Sequence, residues 1–173
     1  MLSNNKISLR TIEPKDIDCL LAWENDTENW KVSNTLVPFS RKLMEEYIYS
    51  AQDIFMTKQL RFIIEDNNSK KQLGCIDLFD FDPFHLRAGV GILIDKAYRN
   101  KGIAKEALEL LKKYSFDLLK LNQLHCSITS SNEASIHLFT QSKFIQTGVK
   151  KSWLNYGDEW EDELFFQCLV KND

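Results

Sequence analysis

The chain alternates between short apolar runs and segments in which apolar residues recur every three or four positions. Short runs are typical of β-strands, whereas the wider spacing is typical of amphipathic helices. The run at 88–94 is almost continuously apolar, which predicts a strand covered on both faces of a sheet. Together the runs predict strands at 6–12, 60–65, 72–79, 88–94, 124–129 and 163–170, the last in a long hairpin that turns near 155–158.

Four segments have helical spacing. The first places Ile17, Leu20 and Leu21 on one face. The second is expected to begin at Ser40, a natural N-cap, and to reach Ala51. The third has the apolar stripe Ile103, Ala107, Leu111, Tyr114 and Leu118, and the fourth covers 132–141.

Two connections are expected to lack regular structure. Residues 30–38 show no periodic pattern, and residues 80–85 contain Pro83, which cannot join a central ladder. The predicted order of elements is β-α-α-β-β-β-α-β-α-β-β. This order indicates a single α/β domain over residues 1–173, with a mixed six- to seven-stranded sheet flanked by about four helices.

Composition and charge narrow the classes of function. The 173 residues are 43% hydrophobic and 12% aromatic, which suits one domain with a substantial core. The formal net charge of −3 argues against general nucleic-acid binding and allows a cationic partner. The start of the chain is polar, and no apolar run approaches the ~20 residues that span a bilayer. We therefore expect a soluble, cytoplasmic protein without a membrane role.

The four cysteines indicate neither a metal site nor a redox motif. Cys19, Cys75, Cys126 and Cys168 lie far apart, without a C-x-x-C pair or a histidine at ligand spacing. Each lies in an apolar stretch and is interpreted as a small core residue. We expect no bound metal.

The most informative segment is 92–104, where a buried strand leads through a short polar loop into a helix. Unpaired backbone N–H groups and the positive end of the helix dipole point out of such a loop. Gly102 allows close backbone approach, and Arg99 and Lys101 lie beside it, so the loop suits a pyrophosphate. A plain strand-to-helix turn is the alternative, and this segment alone leaves both interpretations open.

Two motifs carry a resemblance to a known family. The loop reads Arg99-Asn100-Lys101-Gly102-Ile103-Ala104, which matches the pattern R/Q-x-x-G-x-G/A for coenzyme A. Residues 132–139 read Asn-Glu-Ala-Ser-Ile-His-Leu-Phe, which is similar to a second helix motif of the same family. In both motifs, and in the order of its predicted elements, the chain resembles the GNAT family, the GCN5-related N-acetyltransferases. Within that family it is similar to the spermidine or diamine branch and to the ribosomal-protein N-terminal branch.

The resemblance implies acetyl-CoA as the co-substrate and gives residues their roles. The backbone of Ile92, Leu93 and Ile94 would pair with the pantetheine arm, and the amides of 99–104 would hold the pyrophosphate. Asn132 would hydrogen-bond the pantetheine, which suits a side chain with both a donor and an acceptor. Asn132 is also a good N-cap for the following helix, and both roles are compatible.

The sequence departs from the family pattern at two positions. Many members place a tyrosine seven residues after the asparagine, as a general acid for the departing CoA thiolate, whereas this chain has Phe139. The resemblance therefore places Phe139 in the CoA site, but without the general-acid role. A thiol with a reference pKa near 8.5 is a tolerable leaving group, so the reaction can proceed without the acid. Lys143 replaces a family glycine and would carry a strain of roughly 1 kcal/mol if its backbone is left-handed.

In this family the acetyl group passes directly from the thioester to an amine, so the amine must first be neutral. A lysine-like amine has a pKa of about 10.4 and needs a base at pH 7, whereas a peptide α-amine, at about 7.7–8.0, needs less help. The candidate bases are Asp77 and Asp80, near the end of the strand beside the CoA strand, and His85 in the following loop. Each is equally interpretable as a solvated turn residue. His125 and His137 are interpreted as structural.

Acidic residues interleaved with tryptophan form two groups. One is the segment 158–163, with five carboxylates in six residues. The other follows the first helix, where the family recognises its acceptor, and includes Glu24 and Trp30. Such groups suit a polyamine through ion pairing and cation–π contacts, and Glu24, Trp30 and Glu161 are the candidate acceptor residues. The alternative is a charged surface that discourages strand pairing.

These observations predict an acetyl-CoA-dependent N-acetyltransferase that acts on a primary amine. A small polyamine or diamine is favoured over the alternative acceptor, a ribosomal-protein-like peptide N-terminus. An alternative of another class is a non-catalytic acyl-CoA-binding sensor, which Phe139 makes conceivable. The long terminal hairpin is compatible with a homodimer.

Overall fold

A computed structural model describes residues 2–33, 35–50 and 53–172 of the chain. Its centre is one mixed sheet of eight strands in the order β1-β2-β3-β4-β5-β6-β8-β7. Of the neighbouring strands, only β5 and β6 run parallel in this described part of the sheet. The strands are β1 Leu2–Ser3, β2 Ile7–Thr11, β3 Leu60–Asp66, β4 Gln72–Asp82, β5 Arg87–Ile94, β6 Gln123–Thr129, β7 Ile145–Asn155 and β8 Trp160–Leu169.

Helices cover both faces of the sheet. They are α1 Ile17–Glu24, α2 Thr27–Ser33, α3 Arg41–Ser50, α4 Ile54–Thr57, α5 Ile103–Lys113 and α6 Glu133–Gln141. Ala51, which was predicted to end the second helix, lies outside the described residues. In the described ranges, no helix combines the length and the apolar character needed to span a membrane.

Two hydrophobic clusters hold the layers together. The larger one lies between α5 and one face of the sheet, and its fully buried residues include Ile76, Leu78, Ala107, Leu108 and Leu111. The smaller one lies on the opposite face, where α1 and α3 contribute Leu20, Trp23, Met44 and Ile48 against Ile63 and Cys75. The two faces of the sheet therefore carry different helices.

The predicted α/β class with a single mixed sheet is confirmed, but the number of elements was too low. Over the described residues the sheet has eight strands, one of which is the two-residue strand β1 that pairs with β2. Residues 30–38 were expected to be irregular, whereas residues 27–33 form α2. A tertiary hydrogen bond supports this helix, since the Trp30 indole donates to the Glu24 carbonyl at 2.7 Å.

Strand β4 continues past residue 79, where it was predicted to end. Asp80 adopts φ +49°, and the register shifts between Phe79 and Asp82. This bulge lets Asp82 pair with Arg87 while Pro83 stays in the turn beyond the ladder. The prediction of a loop at 80–85 is therefore correct only for its second half.

Asp16 is fully buried and is held by charge-assisted hydrogen bonds. Arg10 donates to its two carboxylate oxygens at 2.7 and 2.8 Å, and the amide of Glu13 donates at 2.9 Å. Burial alone would raise the pKa of Asp16, but the hydrogen bonds from Arg10, Glu13 and Gln72, together with the charge of Arg10, outweigh it and hold the pKa below its usual value of 3.8. The ionised carboxylate therefore stabilises the fold above that value, and the contribution is lost as the pH falls.

Replacing Asp16 with asparagine should lower the free energy of unfolding by about 2 kcal/mol at neutral pH, because Arg10 and its neighbours lose a charged partner. The loss should shrink as the pH falls below 3.8, because protonation of the wild-type carboxylate then removes its own contribution. Urea unfolding at pH 7 and pH 3 checks this expectation. A gap between variant and wild type that stays constant across this range would contradict it.

Candidate active site

Strands β5 and β6 meet over three rungs and then diverge. Only Arg87, Ala88 and Gly89 of β5 pair with β6, whereas β5 stays paired with β4 as far as Ile94. In the described part of the sheet, the β6 side of residues 90–94 therefore has no neighbouring strand. Its backbone N–H and C=O groups are available to an extended ligand that adds itself to the edge.

Burial along β5 changes at the same place. Residues 88–90 are buried, whereas residues 91–94 are only half-buried. The expectation that the whole run 88–94 is covered on both faces was wrong for its second half. The sequence shows the apolar run but not where the neighbouring strand departs, because that departure depends on the register between β5 and β6.

The loop after β5 presents backbone amides. A short 3-10 turn at Lys96–Tyr98 is capped by Asp95, whose carboxylate accepts from the Ala97 amide at 2.9 Å. Gly102 then serves as N-cap of α5 with φ +76°, and a Cβ there would have no atom within 4 Å. Glycine suits the left-handed backbone at this position, and the space in front of the helix N-terminus is open. The first-turn amides of α5 face this space.

The charged side chains of Arg99 and Lys101 hydrogen-bond to other parts of the protein. Arg99 donates to the Ile94 carbonyl at 3.0 Å and to Asn29 of α2 at 3.1 Å. Lys101 donates to the Ala97 carbonyl at 2.8 Å and lies 5.2 Å from the centre of the Tyr98 ring. The predicted segment 99–104 therefore offers an anion mainly its backbone, and Arg99 instead attaches the loop to α2.

Further contacts join the loop to α1 and α2. The Trp23 indole donates to Asp95 at 2.8 Å, and Lys96 lies 2.9 Å from both Asp26 and Glu28. Beside these contacts lies a cavity of about 220 Å³ that Leu93 also lines. The acidic residues after α1 are therefore partly neutralised by the loop itself.

The two key residues of the second motif, Asn132 and Phe139, lie in different surroundings. Asn132 is the N-cap of α6, and its side chain accepts from the Ser135 amide at 3.1 Å. Phe139 is 4% exposed and packs edge-to-face on Phe144, with ring centroids 5.0 Å apart. Lys143 has φ +67°, so the left-handed conformation considered from the sequence is present. The roles of Asn132 and Phe139 towards CoA stay predictions.

Glu24 and Asp77 are brought together by a residue that the sequence did not single out, Arg61. Its guanidinium donates to both oxygens of Asp77 at 2.7 and 2.8 Å, and to Glu24 at 2.5 Å. The side chains of all three are between 13% and 15% exposed. The Tyr47 ring stacks on Arg61 at 5.5 Å, and burial raises the pKa of Tyr47 to about 12. This cluster lies beside Gly91 of the open strand, because Asp77 pairs with Gly91.

The other two candidate bases, Asp80 and His85, lie before the start of β5. Asp80 is exposed in the bulge of β4, one residue beyond the rung of Phe79. His85 is exposed in the following turn, where its ring contacts Phe84 at 4.8 Å. The structure thus separates the three candidates, with Asp77 in an ion pair and Asp80 and His85 in solvent.

The acidic segment 158–163 lies on the far side of the open edge from Glu24 and Asp77. Glu161 is half-buried on β8, and strands β5 and β6 separate it from β4. Two neighbouring carboxylates form ion pairs with β7, since Glu163 lies 3.0 Å from Lys150 and Asp162 lies 2.7 Å from Lys151. The segment is therefore less negative than its sequence suggests. Trp30 lies beside Glu24, since its indole donates to the Glu24 carbonyl.

A residue that sequence reasoning had interpreted as structural occupies the point of divergence. His125 pairs with Gly89 on the last shared rung of β5 and β6. Its ring lies between Phe79 and Phe165, at centroid distances of 6.3 and 5.5 Å. No local motif surrounds His125, so only the pairing of distant strands could have drawn attention to it.

Comparison with known proteins decides the family. A family model described as an acetyltransferase (GNAT) domain matches residues 6–145. The chain belongs to the GNAT family. Its predicted membership and its predicted class, an N-acetyltransferase enzyme, are confirmed.

Individual relatives are distant but extend over most of the chain. The probable N-acetyltransferase YjcK of Bacillus subtilis is 24% identical over 182 aligned residues, which cover 100% of this chain and 99% of that protein. The spermidine N(1)-acetyltransferase of Vibrio cholerae is 24% identical over 88% of this chain and 87% of its own length. The crystal structure of spermidine N-acetyltransferase from Vibrio cholerae in complex with CoA and spermine superposes with a TM-score of 0.89, at 21% identity and 98% coverage of both chains. At this identity the superposition shows a shared fold.

Proposed function

We propose that this GNAT chain, as one domain over residues 1–173, transfers an acetyl group from acetyl-CoA directly to a primary amine, with a small polyamine or diamine as acceptor. The observation that carries the proposal is the open edge of β5 at residues 90–94, followed at once by the amide-rich loop and the N-terminus of α5. This arrangement suits a ligand that has an extended arm and a terminal anionic group.

The donor would be held mainly by backbone. The N–H and C=O groups of Ile92, Leu93 and Ile94 would pair with the pantetheine arm, and the amides of 99–104 would bind the pyrophosphate. A backbone N–H of the open strand would polarise the thioester carbonyl. Bound acetyl-CoA supplies the activated acetyl group. The chain orients the two reactants and keeps them in contact.

Several features support an amine as acceptor. The cluster of Glu24, Asp77 and Arg61 retains one net negative charge next to the open strand. Together with Trp30 and Glu161, it would attract an ammonium group through ion pairing and cation–π contact. The similarity to a protein named spermidine N(1)-acetyltransferase agrees with this acceptor class.

The proposal is tested by measuring CoA release from acetyl-CoA with spermidine, putrescine, lysine and short peptides that have free N-termini. We expect turnover with the polyamine and the diamine, above the rate without acceptor. Turnover confined to the peptides would favour an N-terminal acetyltransferase. Tight binding of acetyl-CoA without turnover in the whole panel would favour the acyl-CoA-binding sensor.

A further inference from the structure

His125 lies where the open edge of β5 begins. Phe79, Gly89 and His125 share one rung across β4, β5 and β6, so their side-chain positions lie on the same face of the sheet. Because the middle residue is glycine, nothing stands between the two rings. A Cβ on Gly89 would come within 2.4 Å of the Phe79 ring. The glycine therefore keeps the imidazole and the phenyl ring together at the closed end of the gap.

The ring of His125 is half-buried and stays available as a proton acceptor. Among the described residues, no hydrogen bond joins its ring nitrogens to the rest of the chain. Burial lowers the pKa of His125 below its usual 6.5, so the imidazole is neutral at pH 7. A neutral imidazole has one nitrogen with a free lone pair.

The charged groups that face His125 come from three strands. Asp80 of β4 raises the pKa of His125 and Arg87 of β5 lowers it, after the larger effect of burial. Asp77 of β4 and Glu163 of β8 lie on the same face, but Arg61 and Lys150 respectively already bind them. Both carboxylates are therefore already engaged by a cation.

We propose that His125 is the general base that removes a proton from the acceptor ammonium group. This inference rests on the proposed amine acetyltransferase function, and it assigns to His125 the role first considered for Asp77, Asp80 and His85. An arm that pairs with β5 from Ile94 towards Val90 ends beside this residue, because the open edge stops at Gly89.

The imidazole of His125 takes one proton from the ammonium, and the freed lone pair forms a C–N bond with the thioester carbonyl carbon. The C–S bond breaks, and the thiolate leaves with its electron pair. The second proton on nitrogen reaches the thiolate through solvent, and the imidazolium returns its proton to solvent.

The test compares His125→Gln with wild type from pH 6.5 to pH 10, using the amine that the wild type acetylates. At pH 7 we expect kcat/KM for the amine to fall about 100-fold or more. The deficit should shrink steadily towards pH 10, because an amine with a pKa of about 10.4 increasingly loses its proton without help. The affinity for acetyl-CoA and the unfolding midpoint should stay at wild-type values. A merely structural role would cost the same factor at every pH.

His137→Gln is the matched control, since His137 is exposed on α6 and should leave the whole profile unchanged. A pH-independent loss in His125→Gln would overturn the assignment. An equal, pH-dependent loss in Asp80→Asn with none in His125→Gln would overturn it too and identify Asp80 as the base. If the wild type acetylates no amine of the panel, the proposed function fails and the base assignment fails with it.

Discussion

Replacing Arg61 with alanine should lower the free energy of unfolding by about 3–5 kcal/mol, because the change leaves two mostly buried carboxylates without their cation. Glu24 and Asp77 both bind this guanidinium, with side chains 14% and 15% exposed. Such a loss is a large fraction of the roughly 5–15 kcal/mol that stabilises an ordinary domain. Urea unfolding monitored by tryptophan fluorescence measures it.

Arg87→Ala is the matched control for this prediction. Arg87 also pairs with an aspartate, Asp82, but at 3.3 Å and with 48% of its own side chain exposed. Exposed pairs are worth about 0–1 kcal/mol, so the control should remain close to wild type. Equal losses in the two variants would show that the carboxylates near Arg61 reach solvent or another cation.

Replacing Gly102 with aspartate should weaken acetyl-CoA binding by about tenfold to 100-fold. The new carboxylate would stand at the N-terminus of α5, where the proposal places the pyrophosphate, and like charges at one site oppose binding by about 1.4–2.8 kcal/mol for this loss of affinity. The fold should tolerate the change, since aspartate is among the residues that adopt positive φ most readily and an added Cβ at Gly102 meets no atom within 4 Å. Isothermal titration with CoA measures the affinity, and thermal unfolding confirms that the variant is folded.

Gly157→Asp provides the control for Gly102→Asp. Gly157 has φ +84° and, like Gly102, has no atom within 4 Å of an added Cβ. It precedes β8 in the terminal hairpin, so the variant adds the same charge and the same backbone strain away from the loop. Comparable loss of CoA affinity in both variants would mean that net charge, and not the position of Gly102, governs binding.

The donor half of the site was accessible from the sequence because its parts are contiguous. A strand, a polar loop and a helix N-terminus follow one another within 92–104, and the structure has them in that order. Gly102, which the sequence analysis singled out for close backbone approach, has φ +76°. Local chemistry, namely free amides and a glycine, determines what such a loop presents.

The acceptor half depends on residues that are remote in sequence. Arg61 joins Glu24, 37 positions away, to Asp77, 16 positions away, and no pattern along the chain indicates this cluster. The acidic groups read as free charges in the sequence, whereas lysines on the loop and on β7 partly neutralise them. Ion pairing across a sheet follows from strand register, which single-sequence patterns do not contain.

The sequence by itself determined the family, the order of the main elements and the position of the amide-rich loop, because each depends on residues close together in the chain. The tertiary structure alone decided where β5 and β6 part, and hence that His125 lies at the end of the open edge. Parallel pairing stops after three rungs there, while β6 continues along β8 to Thr129. The point at which the two strands separate depends on how each whole strand packs against its own neighbours.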